Sequence, residues 1–460
     1  MIYLLFFSSF FLISQILWVR YYKANFFNIL DPIYYAAGLV FLYLNLSLIR
    51  SFEGGFDEYT HYYSQMSVNI FLLILLIYVI IKDPLKNVPY ITIPTNIPLY
   101  KISLILLIFG YAFLFLNYYR LFLFSYSDDI DIFNRVDRNN LLSNFRFNLP
   151  YSTFIFTSFI AAFASFIWNK ISFLSLIIRL LPFFPVVIFY FVEVERSALI
   201  KIFILLFITL VFIFQFNPKK ISLKISFIFV LLFIIFSLLG NLRSSIHSSF
   251  KDGNIDALNN RISNLSIYSI IPNEFSATRL TLDYSISRLN NEDNYYKDDI
   301  VPSYGTYFQS FLYIFPRSYY DLINTEKDKN IAKVIGEEIR KKIERDRPLS
   351  YGVNALAEAI FNFGYLGIIF FSLIFIYMID KLKNLYEIKK KNFLHIYFIY
   401  LISVTIFMCF RHSFASIFNL YFQSTLILSI LFLSNRIYNS FFIKFFYKIN
   451  KFFIKLLNLN

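Results

Sequence analysis

The residues best suited to chemistry in this sequence are a set of arginines and a few side chains that handle protons. Arg196, Arg243 and Arg411 fall at or near the ends of apolar runs, and Arg317 lies with Arg347 in the long polar stretch between two such runs. A guanidinium presents its donors as a planar fork and stays charged at any working pH, so it suits two-pronged binding of phosphate oxygens. Several converging on one point would hold a diphosphate without a metal, each hydrogen bond to a charged group contributing roughly 1.5–3 kcal/mol net. The plainer reading is that an arginine at a helix end only extends its charge to the interface.

Glu358 stands about a turn and a half into the apolar run that starts at Val353, within the segment YGVNALAEAIFNFGYLG. A carboxylate just below a polar surface is costly unless paired or used. Partial burial raises its pKa and suits it to take a proton from a sugar hydroxyl. A salt bridge to a neighbouring arginine is the competing reading. His412, next to Arg411, is a second candidate base, and Glu195, next to Arg196 and close to Glu193, is a third.

Asp128, Asp129 and Asp131 form an acidic cluster that would suit a divalent cation, but Arg135 and Arg138 beside it suit an ordinary solvated loop. His247, His395 and His412 are too scattered for a metal site, and the single cysteine, Cys409, allows no disulfide framework or cysteine metal centre within one chain. No phosphate-binding glycine loop or nucleophile elbow occurs. Neither metal nor cofactor is expected. Arg179 sits inside an apolar run near Pro182 and Pro185, where an ionisable group either serves function or faces the bundle interior.

The elements that must position these groups are apolar helices. Of 460 residues, 58% are hydrophobic and 16% charged, against roughly 45–50% and 25% in soluble domains, which excludes a water-soluble globule. The net charge of +14 is not by itself a nucleic-acid signature in such a chain, and no nucleic-acid partner is expected. Apolar runs at 2–19, 32–49, 67–81, 102–124, 151–168, 171–192, 197–216, 221–240, 353–379, 393–410 and 416–433 predict about eleven membrane spans, with ten to fourteen as the range. The first run has no basic leader and no small-residue cleavage site, so it reads as a membrane helix.

Lysines fall in alternate loops (Lys23; Lys82, Lys86 and Lys101; Lys170; Lys219, Lys220 and Lys224; Lys381 to Lys391), and the intervening short loops contain none. Cytoplasmic loops hold the positive excess, so the N-terminus is placed outside and the C-terminus inside; a miscounted span would break this alternation. Lys444, Lys448, Lys451 and Lys455 would form one stripe on a tail helix lying against anionic membrane lipid. The organisation expected is an N-terminal bundle at 1–240, a folded external loop at 241–352, C-terminal spans at 353–433 and a basic cytoplasmic tail at 434–460.

Several short segments resemble, in order, elements of bacterial O-antigen and oligosaccharide repeat-unit polymerases of the Wzy type. ALAEAIFNFGYLGIIF (Ala355 to Phe370) resembles their Glu, Asn-Phe-Gly and Gly pattern at the close of the large loop. Glu195-Arg196-Ser-Ala-Leu-Ile resembles their Gly-Ser-Arg and Leu-Ile element, with Glu where Gly is usual. Gly240-Asn-Leu-Arg243, Tyr304-Gly305 and Phe315-Pro316-Arg317 resemble loop elements, and Arg411-His412-Ser413 resembles a late Arg-Gly-Asp/Ser segment with His replacing Gly.

The resemblance implies an all-α polytopic glycosyltransferase of GT-C-like fold in the bacterial inner membrane, working at its periplasmic face without a metal. It would take polyprenyl-diphosphate-linked oligosaccharides as donor and acceptor, in company with a chain-length regulator protein, and build O-antigen or capsule. Arg196, Arg243, Arg317 and Arg411 would bind the diphosphate, with Glu358, His412 or Glu195 as base. The rivals are an O-antigen ligase of similar fold and a lipid-linked oligosaccharide flippase. The first usually carries a loop histidine with a glycine pattern, which His247 lacks; the second is disfavoured by the long loop and unmatched halves.

Overall fold

A computed structural model describes residues 2–25, 30–48, 56–85, 98–128, 151–169, 172–192, 196–214, 273–290, 306–307, 335 and 353–430. In chain order these form α1 (Ile2–Ala24), α2 (Pro32–Val40) running into a π-helical turn (Phe41–Leu46), α3 (Glu58–Ile81), α4 (Leu99–Asp128) and α5 (Tyr151–Asn169). Next come α6 (Phe173–Leu180), a 3-10 turn (Leu181–Phe183), α7 (Phe184–Val192), α8 (Arg196–Phe214) and α9 (Asn273–Asn290). The last four are α10 (Ala355–Phe363), α11 (Leu366–Glu387), α12 (Phe393–Met408) and α13 (Phe414–Ile430). No sheet occurs among the described residues.

Local sequence explains where the helices start. Asp31 caps α2 by accepting from Ile33 N, with Pro32 in the first helical position; Asp57 caps α3 by accepting from Thr60 N. Asn392 and His395 form a reciprocal capping box at the head of α12. These side chains satisfy backbone donors that no helical partner reaches.

The expectation of about eleven spans in a GT-C-like arrangement is overturned. Among the described residues only α1, α3, α4 (over Leu99–Tyr119) and α5 are long and apolar enough to cross a membrane. The reason lies in helix continuity, which an apolar run does not report. The run at 32–49 yields apolar helix over Pro32–Leu46 only. At 171–192 the run is interrupted at Leu181–Phe183, where Pro182 lacks a backbone donor. At 353–379 it breaks at Gly364, whose φ of +61° ends α10 after nine residues.

The apolar helices at Ser197–Ile213, Phe393–Met408 and Phe414–Ile430 also fall short of the span threshold. Sixteen residues, the length of α12, extend about 24 Å at ~1.5 Å each, less than the roughly 30 Å of a hydrocarbon core. The run at 221–240 and the tail at 434–460 lie outside the described residues.

The protein is membrane-associated. α1 exposes Leu4, Phe7, Phe11 and Trp18, each more than 60% accessible, an outward face that lipid covers and water would not. Inward, α1, α2, α3, α5, α8, α11 and α12 share one apolar core that includes Ile16, Val40, Phe71, Phe159, Leu205, Phe375 and Tyr400.

One end of this bundle is basic. Arg20, at the close of α1, makes a buried two-pronged pair with Asp31 (2.8 and 3.1 Å) and donates to the Lys82 carbonyl, while Lys82 approaches Asp380 on α11 at 3.7 Å. Asp31 also accepts from Leu85 N, so one carboxylate ties α1, α2 and the exit of α3 together.

α9 is the longest described element of the 241–352 stretch. Residues 278–287 are buried without a break although the helix is polar. It packs against α3, α10 and the π turn.

Candidate functional site

α10 is fixed at its first turn. Asn354 accepts from Ala357 N (2.6 Å) through its side-chain oxygen and donates to the Thr278 carbonyl (2.8 Å) through its nitrogen, clamping the helix start to α9. Ala355 N donates to the Cys409 carbonyl (2.7 Å), tying the same turn to the end of α12. Glu358, one turn further, is thereby carried into the interior with no exposed surface.

Its two oxygens have different partners. Oε1 accepts from the Thr306 hydroxyl at 2.9 Å, and Oε2 accepts from Phe414 N at 2.5 Å. Asn362 completes the arrangement by accepting from Thr306 N (2.8 Å) and donating to the Thr306 hydroxyl (2.7 Å). Tyr307 lies between Phe363 and Phe414, with ring centroids 5.6 and 4.8 Å away. Glu358 thus joins α10, residues 306–307 and the head of α13. Its partners are a hydroxyl and an amide rather than an arginine. Burial pushes the carboxyl up to about 7, with the Phe414 N–H and then the Thr306 hydroxyl working against it.

Arg411 and His412 occupy the turn between α12 and α13, where the backbone N–H groups of both donate to the Met408 carbonyl. The His412 Nε2 is enclosed, with no hydrogen-bond partner among the described residues. Burial first, then Lys201 and Arg411, hold this imidazole well below its ordinary value, so it is neutral. Lys201 lies on α8 five residues after Arg196. With Ser152, Phe156, Tyr190 and Leu420 it lines a cavity of about 60 Å³.

α8 runs from Arg196 toward Phe212, which stacks on Tyr386 and is approached by Lys391 at the far end of the bundle. Arg196 therefore starts its helix at the end that holds Lys201, Arg411, His412 and Glu358. Arg243, Arg317, Glu195, Glu193, Arg347, Asp129 and Asp131 lie outside the described residues. Arg179 is elsewhere, over the Tyr100 ring at 5.3 Å, with the Tyr100 hydroxyl donating to its carbonyl.

Lys201 was not singled out by sequence reasoning. Its signal is a single ammonium in the otherwise apolar run ALIKIFILLF, a costly placement unless the charge is used. The described residues contain no group of three or more His, Cys, Asp or Glu side chains placed to hold a metal. What the arrangement offers is cationic: an ammonium and a guanidinium around a neutral imidazole, braced by a buried carboxyl.

Fold and site define an all-α, membrane-associated protein in which Glu358, Arg411, His412 and Lys201 lie toward one end of an apolar bundle. No family model, curated protein or solved structure matches the chain.

Proposed function

We propose that this protein is a membrane glycosyltransferase that joins polyprenyl-diphosphate-linked oligosaccharide repeat units into a surface polysaccharide at the outer face of a bacterial inner membrane. The observation that carries the reading is the junction of the Arg411-His412 turn with α10, where Phe414 N donates to Glu358 and Ala355 N donates to the Cys409 carbonyl, with the charge of Lys201 on α8 acting on His412. These segments are far apart in sequence, and three of them, at Arg196, Glu358 and Arg411, resemble polymerase elements in the same order.

In this reading the growing chain on its lipid diphosphate is the donor. The bond from its C1 to the diphosphate breaks, and the charge that develops on the departing diphosphate is met by cations already in place. Such preorganised charge is commonly the largest single contribution to catalysis. Arg411, Lys201 and Arg196 hold the diphosphate. Glu358, with both oxygens already accepting hydrogen bonds, sets the position of the turn that presents Arg411.

The test is reconstituted protein supplied with purified lipid-linked repeat units. Longer glycan on the same lipid supports polymerisation; transfer to a second lipid indicates a ligase, and exchange between leaflets without a new bond indicates a flippase. Arg411→Ala is expected to abolish chain growth while the protein still accumulates in the membrane. Arg411→Lys is expected to impair it as well, because a point charge does not reproduce the fork. Polymer of wild-type length and amount from Arg411→Ala removes this residue from the mechanism.

A further inference from the structure

The opening turns of α3 carry Tyr59, Tyr62 and Tyr63, directly behind the Asp57 cap. The Tyr59 and Tyr63 rings meet edge to face at 4.5 Å between centroids, and their hydroxyls share a hydrogen bond of 2.8 Å. Tyr62 packs edge-on to Tyr63 at 5.3 Å, and Tyr63 approaches Tyr365, in the link between α10 and α11, at 6.3 Å. The Tyr365 hydroxyl donates to Asn290 Oδ1 (2.8 Å) at the end of α9. Three separate stretches of chain thus build one aromatic ledge, at the bundle end opposite the one where α3 closes at Lys82.

The ledge is open. Tyr59 is 57% exposed and Tyr365 42%, while Thr60 and Ser64 beneath the rings are buried. Phe363, two residues before Tyr365 and also exposed, extends the surface toward the Glu358 junction: its ring lies 5.6 Å from that of Tyr307, the neighbour of the Thr306 that donates to Glu358.

Tyrosines at the end of a bundle commonly anchor a protein among lipid headgroups. Here the surroundings are charged: Asp57 and Glu58 are exposed beside Tyr59, and Arg288, near the end of α9, lies over the Phe361 ring at 4.2 Å. Such groups belong in water rather than in hydrocarbon. The hydroxyls are also engaged, with each other and with Asn290, which holds the rings in fixed relation before any ligand arrives. An anchor has no use for that.

The polar atoms suit one kind of ligand. Two hydroxyls joined by one hydrogen bond leave one proton to be donated outward, and the Tyr365 oxygen, its own proton given to Asn290, is left as an acceptor. A sugar has C–H faces that lie against the negative face of an aromatic ring, and a rim of hydroxyls that both give and take hydrogen bonds. An acyl chain would use neither hydroxyl, and a phosphate would be repelled by Asp57 and Glu58.

We propose that the ledge of Tyr59, Tyr63 and Tyr365 is a carbohydrate-binding site that takes the glycan part of the substrate, with sugar rings stacked on the tyrosine faces and sugar hydroxyls bonded to the Tyr59 and Tyr63 pair and to Tyr365. An open ledge suits a chain of sugars rather than a single one. This role rests on the reading of the protein as a glycosyltransferase, and it is one of binding, with no bond made or broken at the tyrosines.

The test uses the full chain in lipid nanodiscs. The probe is lipid-free glycan cut by mild acid from the surface polysaccharide of the cells that make the protein, so that anchoring to a bilayer cannot imitate binding. The dissociation constant is read from saturation transfer to the glycan protons. Wild-type protein is expected to bind, and Tyr59→Leu with Tyr365→Leu to weaken binding about tenfold or more, because leucine keeps apolar surface and discards the flat ring. Each substitution alone, the milder perturbation, is expected to act in the same direction. Tyr59→Phe with Tyr365→Phe keeps both rings and is expected to lose only a small part of the affinity. With lipid-linked repeat units as substrate, the leucine pair is expected to raise KM and leave kcat nearly unchanged, as for a contact made equally in ground and transition states.

Wild-type affinity in the leucine variants, or no glycan binding by wild-type protein that still extends lipid-linked units, overturns the ledge and leaves the transferase reading standing. Glycan binding that the leucine variants lose, in a protein that forms no glycosidic bond, keeps the ledge and overturns the transferase reading. Neither binding nor product overturns both.

Discussion

Replacing Glu358 by Gln tests the electrostatics of the candidate site directly. The carboxyl is fully buried, and its pKa is raised from 4.5 to about 7. Between those values the folded protein holds a proton that the unfolded chain has released. The proton's contribution to stability is therefore present in full below about 4.5 and lost as pH climbs through about 7. At about 1.4 kcal/mol for each tenfold change, the loss amounts to about 3 kcal/mol.

The glutamine amide retains an oxygen for Phe414 N and offers an N–H to the Thr306 hydroxyl, and it does not titrate. The stability of Glu358→Gln relative to wild type should therefore rise by about 3 kcal/mol from about pH 5 to about pH 8. Unfolding of both proteins in the same detergent across that range measures the difference, and the contributions of every other titrating group cancel. Parallel stability curves would refute the claim that burial, with only a hydroxyl and an amide as partners, keeps this carboxyl protonated near neutrality.

Two further outcomes follow from packing. Asp31→Ala strands a guanidinium that has no exposed surface, at a cost of roughly 3–5 kcal/mol, and should sharply reduce detergent-stable protein, with Asp31→Asn in between; unchanged accumulation and melting of Asp31→Ala would contradict it. Gly367→Ala would drive a Cβ into the Ala359 carbonyl oxygen, a backbone atom that cannot swing away, so α10 and α11 must separate. Gly38→Ala, with nothing within 4 Å of its Cβ, is the matched control; thermal midpoints should fall for the first and hold or rise for the second.

The all-helical, membrane-associated character was legible because composition reports the solvent directly. The start of α2 was legible at Pro32, whereas the run at 67–81 left out the polar first turns of α3, which begins at Glu58 behind its Asp57 cap. Span count was not legible: an apolar run with Pro182 or Gly364 in it has the composition of one helix and the geometry of two. α9 was hidden for the opposite reason. Thr278, Arg279, Thr281, Asp283 and Ser285 read as solvated, and only their partners on α3, α10 and the π turn make burial affordable. Glu358 and Arg411-His412 were visible as isolated oddities. That the Arg411 turn meets α10 through Phe414 N and Cys409 O, and approaches Lys201, is a long-range fact that spacing does not encode.

The π turn has a consequence for how this protein can vary. A helix wound with a surplus residue is sensitive to length as well as to side-chain identity, because removing one residue restores the ordinary winding and closes the wide turn on which Leu44 and Asn45 stand. Leu44 offers only its carbonyl to Arg279, so many side chains would serve there, and Asn45 offers a single amide oxygen to Gln65. Substitutions between Phe41 and Leu46 should therefore be absorbed far more readily than a deletion of one residue, which would turn both acceptors off axis at a stroke.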